Sequence, residues 1–595
     1  MSAQTATTVA ETVKVKINGI EVEAPAGSTI LDAAELAQVN IPTLCHHPDL
    51  PPTAACGICV VKVKGMPNMI RACCTPLTPG MEVMTQDAEI VQVRRSVLEL
   101  ILSNHPNECL TCQRSGQCEL QSLADDFGIT HSRLPKRIAD VPKDESTKTI
   151  VLDSRKCIRC GRCVTVCQET QDVWALCTKH RGIDAIVAPA GDIPLADSPC
   201  VRCGQCSAHC PTGAISVYNQ TETVWKALMD PKKHCVVQIA PAVRVGIGES
   251  FDIAPGTNLT GQLYAALRRM GFDTVFDTNF AADVTIMEEA SEFVERFAHG
   301  KGEIPLITTC CPAWVDYMEK FESDMIGHFS SAKSPQAMLG ALTKSYYAEK
   351  MGIDPVNIFM VSVMPCTAKK YEIRRAKDMF ASGHPDIDVS ITTRELARMF
   401  RQSGIEFAEL PAEEADSPLG QYTGAGTIFG LTGGVMSAAL RTAYHLVTKK
   451  ELPDNALDFE PLHTLEGVKT LKVDIEGTEV RVAVAHGLRH VSEVMDLVRQ
   501  AKLAGKEPPF HFIEVMACAG GCVGGGGQFW GVTDKIRKQR AAGLVEEDKT
   551  KCKFRRSHEN PDVQKLYADY IGAPLSEKAH KLFHTSYIAR KQYKR

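Results

Sequence analysis

The 24 cysteines of this 595-residue chain fall in tight groups whose spacing suits metal centres. In a long chain, grouped cysteines favour metal or redox centres over disulfides. The most specific group occurs twice, as Cys157-x2-Cys160-x2-Cys163-x3-Cys167 and Cys200-x2-Cys203-x2-Cys206-x3-Cys210, with Pro211 after the second. In such paired runs the fourth cysteine of each run ligates the other cluster. We therefore predict two [4Fe–4S] clusters, cluster one on Cys157, Cys160, Cys163 and Cys210, and cluster two on Cys200, Cys203, Cys206 and Cys167.

Two further groups lie upstream of this repeat. The spacing Cys45-x10-Cys56-x2-Cys59-x13-Cys73 suits a [2Fe–2S] cluster, although the plant-type pattern has four residues between the first two ligands. Zinc is the alternative, and Cys74 competes with Cys73 as fourth ligand. The second is a histidine–tricysteine group, His105-x3-Cys109-x2-Cys112-x5-Cys118, which can hold zinc or a [4Fe–4S] cluster. Its position between two cluster modules favours the cluster.

Three segments nearer the C-terminus carry the remaining grouped cysteines: Thr308–Trp314, Met364–Glu372 and Glu514–Cys522, the last running on into Gly524–Gly527. Buried free cysteines are the alternative interpretation of any single one. Together, Cys311, Cys366, Cys518 and Cys522 offer four thiolates, enough for one more [4Fe–4S] cluster.

Strands must bring these three segments together. Apolar runs predict strands followed by longer helical stretches, an α/β pattern from about residue 223 onward. The cysteine segments follow three of the strands, and open α/β sheets place their chemistry at strand ends. The predicted strands are Cys235–Ile239, Pro305–Thr308, Ile358–Val363, Val480–Ala485 and Phe512–Val515, and the helices include Gly261–Arg269, Ser334–Lys350 and Val491–Ala501.

The N-terminal region has the pattern of a β-grasp [2Fe–2S] ferredoxin. Residues 13–24 alternate apolar and polar across Asn18-Gly19, which predicts a hairpin with a type I′ turn. Ser28 or Thr29 caps a short helix, and a strand over Val60–Val63 follows the cysteine loop. We also predict a helix over Val93–Leu102 and, in the basic tail, helices over Val563–Tyr570 and from Ser576 to near Tyr587.

The chain is long enough for roughly four domains of ~150 residues. We predict a multidomain protein of α+β and α/β modules. Its parts are a flexible leader (1–12), a [2Fe–2S] ferredoxin-like module (13–91), a histidine–tricysteine [4Fe–4S] module (92–139), a two-cluster ferredoxin module (140–222), an α/β catalytic domain (223–548) and a helical tail (549–595).

Composition excludes several classes of function. The formal net charge of −5 shows no bias toward nucleic acid. No apolar run approaches the ~18 residues that a membrane span needs. The first residues lack the basic and apolar regions of a signal peptide, so we expect a cytoplasmic protein.

The three C-terminal cysteine segments resemble the signature motifs of the [FeFe] hydrogenases almost residue for residue. The upstream modules resemble those of the long, ferredoxin-extended members, including catalytic subunits of NAD(P)-linked, electron-bifurcating enzymes, so the resemblance covers about residues 13–595. It implies reversible oxidation of H2, Cys73 as the [2Fe–2S] ligand, and a tail like the small subunit of two-chain relatives. The implied cofactors are one [2Fe–2S] cluster, three accessory [4Fe–4S] clusters and an H-cluster.

The resemblance also implies how the H-cluster is held. Cys311, Cys366, Cys518 and Cys522 would hold its cubane, and Cys522 would bridge to a diiron subcluster carrying CO, cyanide and an azadithiolate. Lys369 would donate to one cyanide, since its ammonium offers only donors. Many relatives carry Ser at position 242, so the segment facing the other cyanide would lack one side-chain hydrogen bond here. The implied pocket residues are Ala240, Pro241, Ala242, Gln336, Met364, Pro365, Phe429 and Met516.

Proton delivery needs titratable groups at hydrogen-bond spacing. Cys310 is not needed for the cubane, and the resemblance implies that it relays the proton to the bridging amine. The route would continue through Glu289, Ser330, Glu292 and Arg296, of which the carboxylates and the arginine share one helix face. A solvated charged face is the alternative interpretation of those three residues.

The implied partners are H2 and protons, ferredoxin and/or flavin NAD(P)-binding hydrogenase subunits, and maturation proteins. No flavin or nicotinamide fingerprint occurs in the sequence, so another polypeptide would have to handle NAD(P)H. The alternatives are a sensory hydrogenase-like protein, a non-catalytic iron–sulfur assembly protein and an electron wire like that of complex I. Retention of Cys310, Lys369 and all four cubane cysteines argues against them.

Overall fold

The computed structural model describes residues 11–465, 467–591 and 593, so residues 1–10 of the predicted leader lie outside it. The first module confirms the predicted hairpin, in which Asn18 and Gly19 take positive φ as a type I′ turn requires. Thr29, rather than Ser28, caps the helix that follows. The elements are β1 (Thr12–Ile17), β2 (Ile20–Pro25), α1 (Ile30–Leu36), β3 (Val60–Val63), β4 (Ile70–Arg71) and β5 (Glu82–Met84), in sheet order β2-β1-β5-β3-β4.

A long helix, α2 (Ala88–Ser103), connects this sheet to the histidine–tricysteine group. Asp87 caps the helix through its carboxylate, and the guanidinium of Arg94 donates to the carbonyl of Val60 on β3 at 2.8 Å. A second helix, α3 (Glu119–Asp126), begins directly after Cys118. The histidine–tricysteine group therefore lies between two helices, the first of which is held by the sheet.

The two-cluster module repeats one local conformation. Arg159 and Gly161 have positive φ before the first helix, and Arg202 and Gly204 have positive φ before the second. The two cysteine runs therefore share one turn geometry. The elements are β6 (Ile150–Leu152), α4 (Arg162–Thr165), β7 (Cys177–Lys179), β8 (Ile186–Ala188), α5 (Gln205–His209) and β9 (Ile215–Val217), with β6 paired to β9 and β7 to β8.

The catalytic region contains two sheets. One is parallel, in the order β11-β10-β13-β14, and the other is mixed, in the order β12-β18-β17-β16-β15. The strands are β10 (His234–Ile239), β11 (Thr274–Asp277), β12 (Leu306–Ile307), β13 (Ile358–Met364), β14 (Val389–Thr392), β15 (Glu460–Pro461), β16 (Val468–Ile475), β17 (Thr478–His486) and β18 (Phe512–Met516).

Helices surround these sheets, and the predicted ones are confirmed within a few residues. The predicted helix Ser334–Lys350 is a composite of α11, a π-helical turn over Thr343–Tyr347 and α12. The helices are α6 (Thr221–Leu228), α7 (Pro241–Arg244), α8 (Thr260–Arg269), α9 (Thr278–His299), α10 (Pro312–Phe321), α11 (Pro335–Leu342), α12 (Ala348–Met351), α13 (Lys369–Glu372), α14 (Thr393–Gln402), α15 (Gly424–Ile428), α16 (Gly434–Thr448) and α17 (Leu488–Leu503).

The 22-residue helix α9 lies between the two sheets. Its Phe280 packs with β10 and β13 of the parallel sheet, and its Phe293 packs with Phe512 of the mixed sheet. Both phenylalanines are buried, so burial of their apolar surface fixes the helix in place. Any side chain on its remaining face is thereby held at a defined position between the sheets.

The C-terminal helices pack against the rest of the catalytic region. They are α18 (Asp534–Glu546), which precedes the predicted tail, and α19 (Pro561–Leu566) and α20 (Glu577–Phe583) within it. The predicted last helix was too long, because α20 ends at Phe583 and the chain then becomes extended. Lys333 N–H donates to the carbonyl of Phe583 at 2.7 Å, and Thr585 N–H donates to the carbonyl of Ser331 at 2.8 Å. These backbone hydrogen bonds with another segment replace the helical ones.

No helix in the described part of the chain is long and apolar enough to cross a membrane.

Candidate active site

Three loops at the carboxyl ends of strands bring four cysteines together. Cys311 lies between β12 and α10, Cys366 follows β13, and Cys518 and Cys522 follow β18. Because β12 pairs with β18, the first and last loops leave the same sheet edge, while β13 belongs to the other sheet. The four thiols therefore meet between the two sheets.

The four thiols lie near enough to affect one another's pKa. Burial, and then the charges of neighbouring cysteines, raise the pKa of both Cys366 and Cys522 to about 12. Cys311 contributes to each shift. Burial, and then the charges of neighbouring cysteines that include Cys366, Cys311 and Cys522, raise the pKa of Cys518 well above its ordinary value. Buried thiols that repel one another's charge need a cation to ionise together, and iron in a cubane supplies one. The donor set fits a [4Fe–4S] cluster.

The glycine run after Cys522 also fits a closely wrapped cluster. A Cβ on Gly525 would lie 2.1 Å from the carbonyl oxygen of Pro365, and one on Gly527 would lie 2.8 Å from the amide nitrogen of Cys366. Only glycine allows this approach of two backbones. The run thus presses the third loop against the second around the thiols.

Lys369 is buried one turn from Cys366 and has two partners. Its ammonium donates to Glu372 Oε2 at 2.8 Å and to the carbonyl oxygen of Cys310 at 3.1 Å. Burial alone would lower the pKa of Lys369, but Glu372 and the cysteines Cys366 and Cys310 together raise it. The lysine therefore brings a fixed positive charge to the pocket, as an anionic ligand would require.

Gln336 lies behind Lys369. Its amide nitrogen donates to Glu372 Oε2 at 2.8 Å, and its amide oxygen accepts from Ser362 at 2.7 Å. Ser334 donates to the same carboxylate oxygen at 2.9 Å. Gln336 therefore positions Glu372, which in turn holds Lys369, and both of its amide atoms are occupied by protein groups.

Six of the predicted pocket residues lie at the ends of β10, β13 and β18, whereas Phe429 follows α15 and Gln336 lies in α11. Phe429 and Met516 share one apolar cluster with Cys310 and Cys522, whereas Met364 packs with Ala240 and neighbours of β10. The carbonyl of Ala242 accepts a 2.6 Å hydrogen bond from Gln528, which fixes the Ala240–Ala242 segment. Pro365 abuts the glycine run through its carbonyl.

The predicted proton residues also come together. Ser330 donates to Glu292 Oε2 at 3.1 Å, and Arg296 donates to Glu292 Oε1 at 2.6 Å. Burial raises the pKa of Glu289 to about 8, while a hydrogen bond with Ser330 acts in the opposite direction. Ser330 thus donates to one buried carboxyl group of α9, that of Glu292, and lies near a second, that of Glu289.

Cys310 stands at the inner end of this series. Burial, followed by the charge of Glu289 and of Cys311, raises the pKa of its thiol well above the ordinary value. The thiol therefore stays protonated at neutral pH and can donate. Its neighbours place it between the carboxyl groups of α9 and the four converging cysteines.

The cysteines of the two-cluster module follow the predicted pattern, in which the fourth cysteine of each run lies beside the other run. Cys210 raises the pKa of Cys157 and Cys160, after burial, and so lies beside the first run although it belongs to the second. Cys200 likewise raises the pKa of Cys167, after burial. This arrangement supports two clusters, each ligated by three cysteines of one run and the fourth of the other.

Direct hydrogen bonds join the second run to the catalytic loops. Thr367 donates to the carbonyl of Arg202 at 2.7 Å, and Lys320 donates to the carbonyl of Cys200 at 2.6 Å. A Cβ on Gly526 would lie 2.4 Å from the carbonyl of Cys203. The cluster two loop therefore touches the loops that carry the four converging cysteines.

The two upstream groups both contact the two-cluster module. Thr53, in the loop between Cys45 and Cys56, donates to the carbonyl of Cys160 at 2.8 Å. Glu119, next to Cys118, donates its N–H to the carbonyl of Pro211 at 3.1 Å. In the histidine–tricysteine group, His105 lines a cavity of about 300 Å³ with Cys109 and Cys118.

Comparison with known proteins follows the same division of the chain. Residues 233–526 match the family described as the iron only hydrogenase large subunit, C-terminal domain. The chain is 46% identical to the NADP-reducing hydrogenase subunit HndD of Solidesulfovibrio fructosivorans, over 97% of this chain and 99% of that one. The chain belongs to the [FeFe] hydrogenase family. It is an oxidoreductase that acts on H2, and this near full-length match does not favour the sensory or assembly alternatives.

Two further similarities support this membership. Iron hydrogenase 1 of Clostridium pasteurianum is 39% identical over 96% of this chain and 99% of its own length. The structure of apo [FeFe]-hydrogenase HydA1 from Chlamydomonas reinhardtii has a TM-score of 0.55 and 42% identity, covering 62% of this chain and 99% of that one.

The other modules of this hydrogenase match iron–sulfur families. Residues 10–88 match a 2Fe-2S cluster binding domain, residues 94–133 the NADH-ubiquinone oxidoreductase-G iron-sulfur binding region, and residues 197–216 a 4Fe-4S binding domain. Residues 534–590 match the iron hydrogenase small subunit. The hydrogenase domain thus carries ferredoxin-like modules at one end and a small-subunit-like tail at the other.

Sequence reasoning missed two residues that shape this site. Glu372 holds Lys369, and its position three residues later, on the same helical face, was a usable signal. Gln528 holds the segment at Ala242, and no local pattern points to that contact.

Proposed function

We propose that this hydrogenase oxidises H2 reversibly at the four converging cysteines and passes protons and electrons along separate routes. The H-cluster, when bound, supplies the redox centre at which H2 is cleaved or formed. The observation that carries the proposal is that Cys310 lies beside both the four cysteines and Glu289 of the carboxyl series. H2 chemistry needs a proton donor beside the redox centre, whereas a protein that only transfers electrons does not.

The residues of this chain then have distinct roles. Cys311, Cys366, Cys518 and Cys522 hold the cubane, and Lys369 offers an ammonium to an anionic ligand. Phe429 and Met516 exclude water from the pocket. Protons move between the Cys310 thiol and Arg296 by way of Glu289, Ser330 and Glu292, with Cys310 and Glu289 donating while they are protonated.

Electrons would cross cluster two and cluster one. Two contacts support this route, because Thr367 of a catalytic loop donates to Arg202 of the second run and Thr53 of the first module donates to Cys160 of the first run. Cys45, Cys56, Cys59 and Cys73 would hold the [2Fe–2S] cluster, and His105, Cys109, Cys112 and Cys118 an accessory [4Fe–4S] cluster. We propose that electrons enter or leave at one of these two.

The partner is an NAD(P)-linked flavin subunit, a ferredoxin, or both. The NADP-reducing name of the relative HndD supports the first of these. Maturation proteins would supply the diiron subcluster. A cytoplasmic location is part of this proposal, because reduced, metal-binding cysteines persist where cellular thiols are kept reduced.

Isolation of the native protein under anaerobic conditions tests the proposed partner. We expect co-purification of a flavin-containing subunit and H2-dependent reduction of NAD(P)+ by the complex. The isolated chain should oxidise H2 with an artificial dye and fail to reduce NAD(P)+. A native protein that purifies alone and exchanges electrons with neither NAD(P) nor ferredoxin would contradict the partner assignment.

A further inference from the structure

The tail meets the proton series at the loop that carries Ser330. Beyond α20, His584 forms an antiparallel bridge with Ala332, flanked by the backbone hydrogen bonds of Phe583 and Thr585 with this loop. His584 is 7% exposed. The bridge therefore holds a buried imidazole of the tail at a fixed place beside Ser331.

A hydrogen-bonded series runs from this imidazole to Glu292. His584 Nδ1 lies 2.8 Å from Ser331 Oγ, and Ser331 Oγ donates to Glu292 Oε2 at 3.2 Å. A hydroxyl carries one proton and two acceptor lone pairs, so Ser331 can receive a proton from one neighbour while giving its own to the other. No gap in this series exceeds hydrogen-bond length.

The far side of His584 is equally well defined. His584 Nε2 lies 3.1 Å from Glu288 Oε2, and Glu288 also accepts from Tyr567 OH at 2.5 Å and from Leu575 N–H at 2.8 Å. Glu288 is fully buried. Its carboxylate can balance the charge of a doubly protonated imidazole.

The imidazole is also close to solvent. The ring of His580, an exposed residue of α20, has its centroid 4.3 Å from that of His584. An exposed imidazole thus lies against His584, and imidazole is the side chain whose charge changes near neutral pH.

Arg296 and the tail approach different oxygens of Glu292. Arg296 donates to Oε1, whereas Ser330 and Ser331 both donate to Oε2 through their hydroxyls. The two oxygens of Glu292 can be contacted at the same time, so the contact with the tail does not displace Arg296.

We propose that His584 is a proton-relay residue through which the tail opens a second path between solvent and Glu292. This inference rests on the proposed function, since Glu292 must itself belong to the proton route. His584 Nδ1 gives its proton to Ser331 Oγ while Ser331 gives its own to Glu292. Nδ1 of His584 then takes up a proton from solvent, which reaches the ring at the surface beside the exposed His580, and the reverse order carries protons outward.

Substitutions of His584 and of Ser331, the two residues of this contact, test the relay. His584→Gln keeps hydrogen bonding but cannot carry charge, and Ser331→Ala breaks the same link without touching the tail. The control is His558→Gln, a tail histidine that contacts Thr442 at 3.2 Å and Glu451 at 3.3 Å, away from this series. All variants are matured fully, and turnover is normalised to the infrared intensity of the bound cofactor.

We expect both test variants to keep cofactor and iron content and to lose about three- to tenfold in turnover, less than the 10²–10⁴ of a sole acid–base group. Their pH profiles should lose one ionisation that the wild type and His558→Gln retain. The titratable groups around His584 and Ser331 are Glu288, Glu292, Tyr567 and His580. Added imidazole should partly restore His584→Ala.

Wild-type turnover and an unchanged pH profile in both His584→Gln and Ser331→Ala would overturn the relay. If Glu292→Gln also kept full turnover, the main proton route would fail with it. If Glu292→Gln lost turnover while both test variants kept it, only the tail branch would be refuted. Loss in His584→Gln without loss in Ser331→Ala would also refute it, because a route through Ser331 needs both residues.

Discussion

The ammonium of Lys369 donates a 3.1 Å hydrogen bond to the backbone carbonyl of Cys310. This contact joins the second cysteine loop to the first at the residue that precedes Cys311. Glu372 in turn holds Lys369. The position of Cys310, the proposed proton donor, therefore depends on a carboxylate that is not one of the proposed cluster ligands.

Glu372→Gln should therefore weaken catalysis while leaving the cysteines intact. Glu372 raises the pKa of Lys369 against the effect of burial, so its removal lowers that pKa and the ammonium is lost at a lower pH. As the pH rises, we expect the turnover of Glu372→Gln to fall at a lower pH than that of the wild type. Glu395→Gln is a matched control, since Glu395 is a buried partner of the adjacent lysine, Lys370. Equal pH profiles in both variants would contradict this role.

Glu289→Gln should change how stability depends on pH. The pKa of Glu289 is raised to about 8 in the folded chain, mainly by burial, so folding favours the protonated form. That contribution is fully present below the ordinary pKa of ~4.3 and is lost as pH rises through about 8. Because glutamine cannot ionise, the variant should lose less thermal stability than the wild type between pH ~6 and pH ~9. Anaerobic melting curves at both values measure the difference, and identical losses would contradict the shift.

The sequence predicted the iron–sulfur modules well, because the spacing between cysteines depends directly on the geometry of the cluster that they hold. The hairpin at Asn18-Gly19 and the strand ends that carry Cys366 and Cys518 were likewise readable from local pattern. Short-range periodicity and turn chemistry act within a few residues, so a single sequence contains them.

Long-range partners could not be read in the same way. β11 and β14, at the edges of the parallel sheet, were not predicted, and the contacts of Gln528 with Ala242 and of His584 with Ser331 join residues hundreds of positions apart. Tertiary packing also ended α20 at Phe583, because the next residues pair with another segment. Propensity carries no information about such pairing.

Fully matured protein should contain about 20 iron atoms per chain, if every cysteine group holds the cluster proposed for it. Infrared spectra should show CO and cyanide bands, since side chains cannot supply these diatomic ligands. Iron analysis and spectra of the same sample provide the measurement. Protein made with the maturation enzymes that holds its accessory clusters but lacks these bands would contradict the assigned cofactor.

Deletion of residues 1–135 should separate partner-linked from dye-linked activity. The deletion removes both upstream groups, including Thr53, which touches the first run at Cys160. We expect electron exchange with a protein partner to be lost while small dyes still support some H2 turnover. Cluster content of the remaining modules serves as the control. If the rate of electron exchange with the partner survived the deletion, electrons would have to enter elsewhere in the chain.

Cys310→Ser should retain the cofactor and lose nearly all turnover. Cys311 already supplies a thiolate, so the adjacent thiol is free to relay protons. Burial and the charge of Glu289 raise the pKa of Cys310, which keeps the thiol protonated, yet a serine hydroxyl is a far weaker acid still. We expect a loss on the order of 10² or more, the scale of general acid–base catalysis. H2 evolution normalised to the infrared intensity of the cofactor measures it, and activity within a few-fold of wild type would make Cys310 a packing residue.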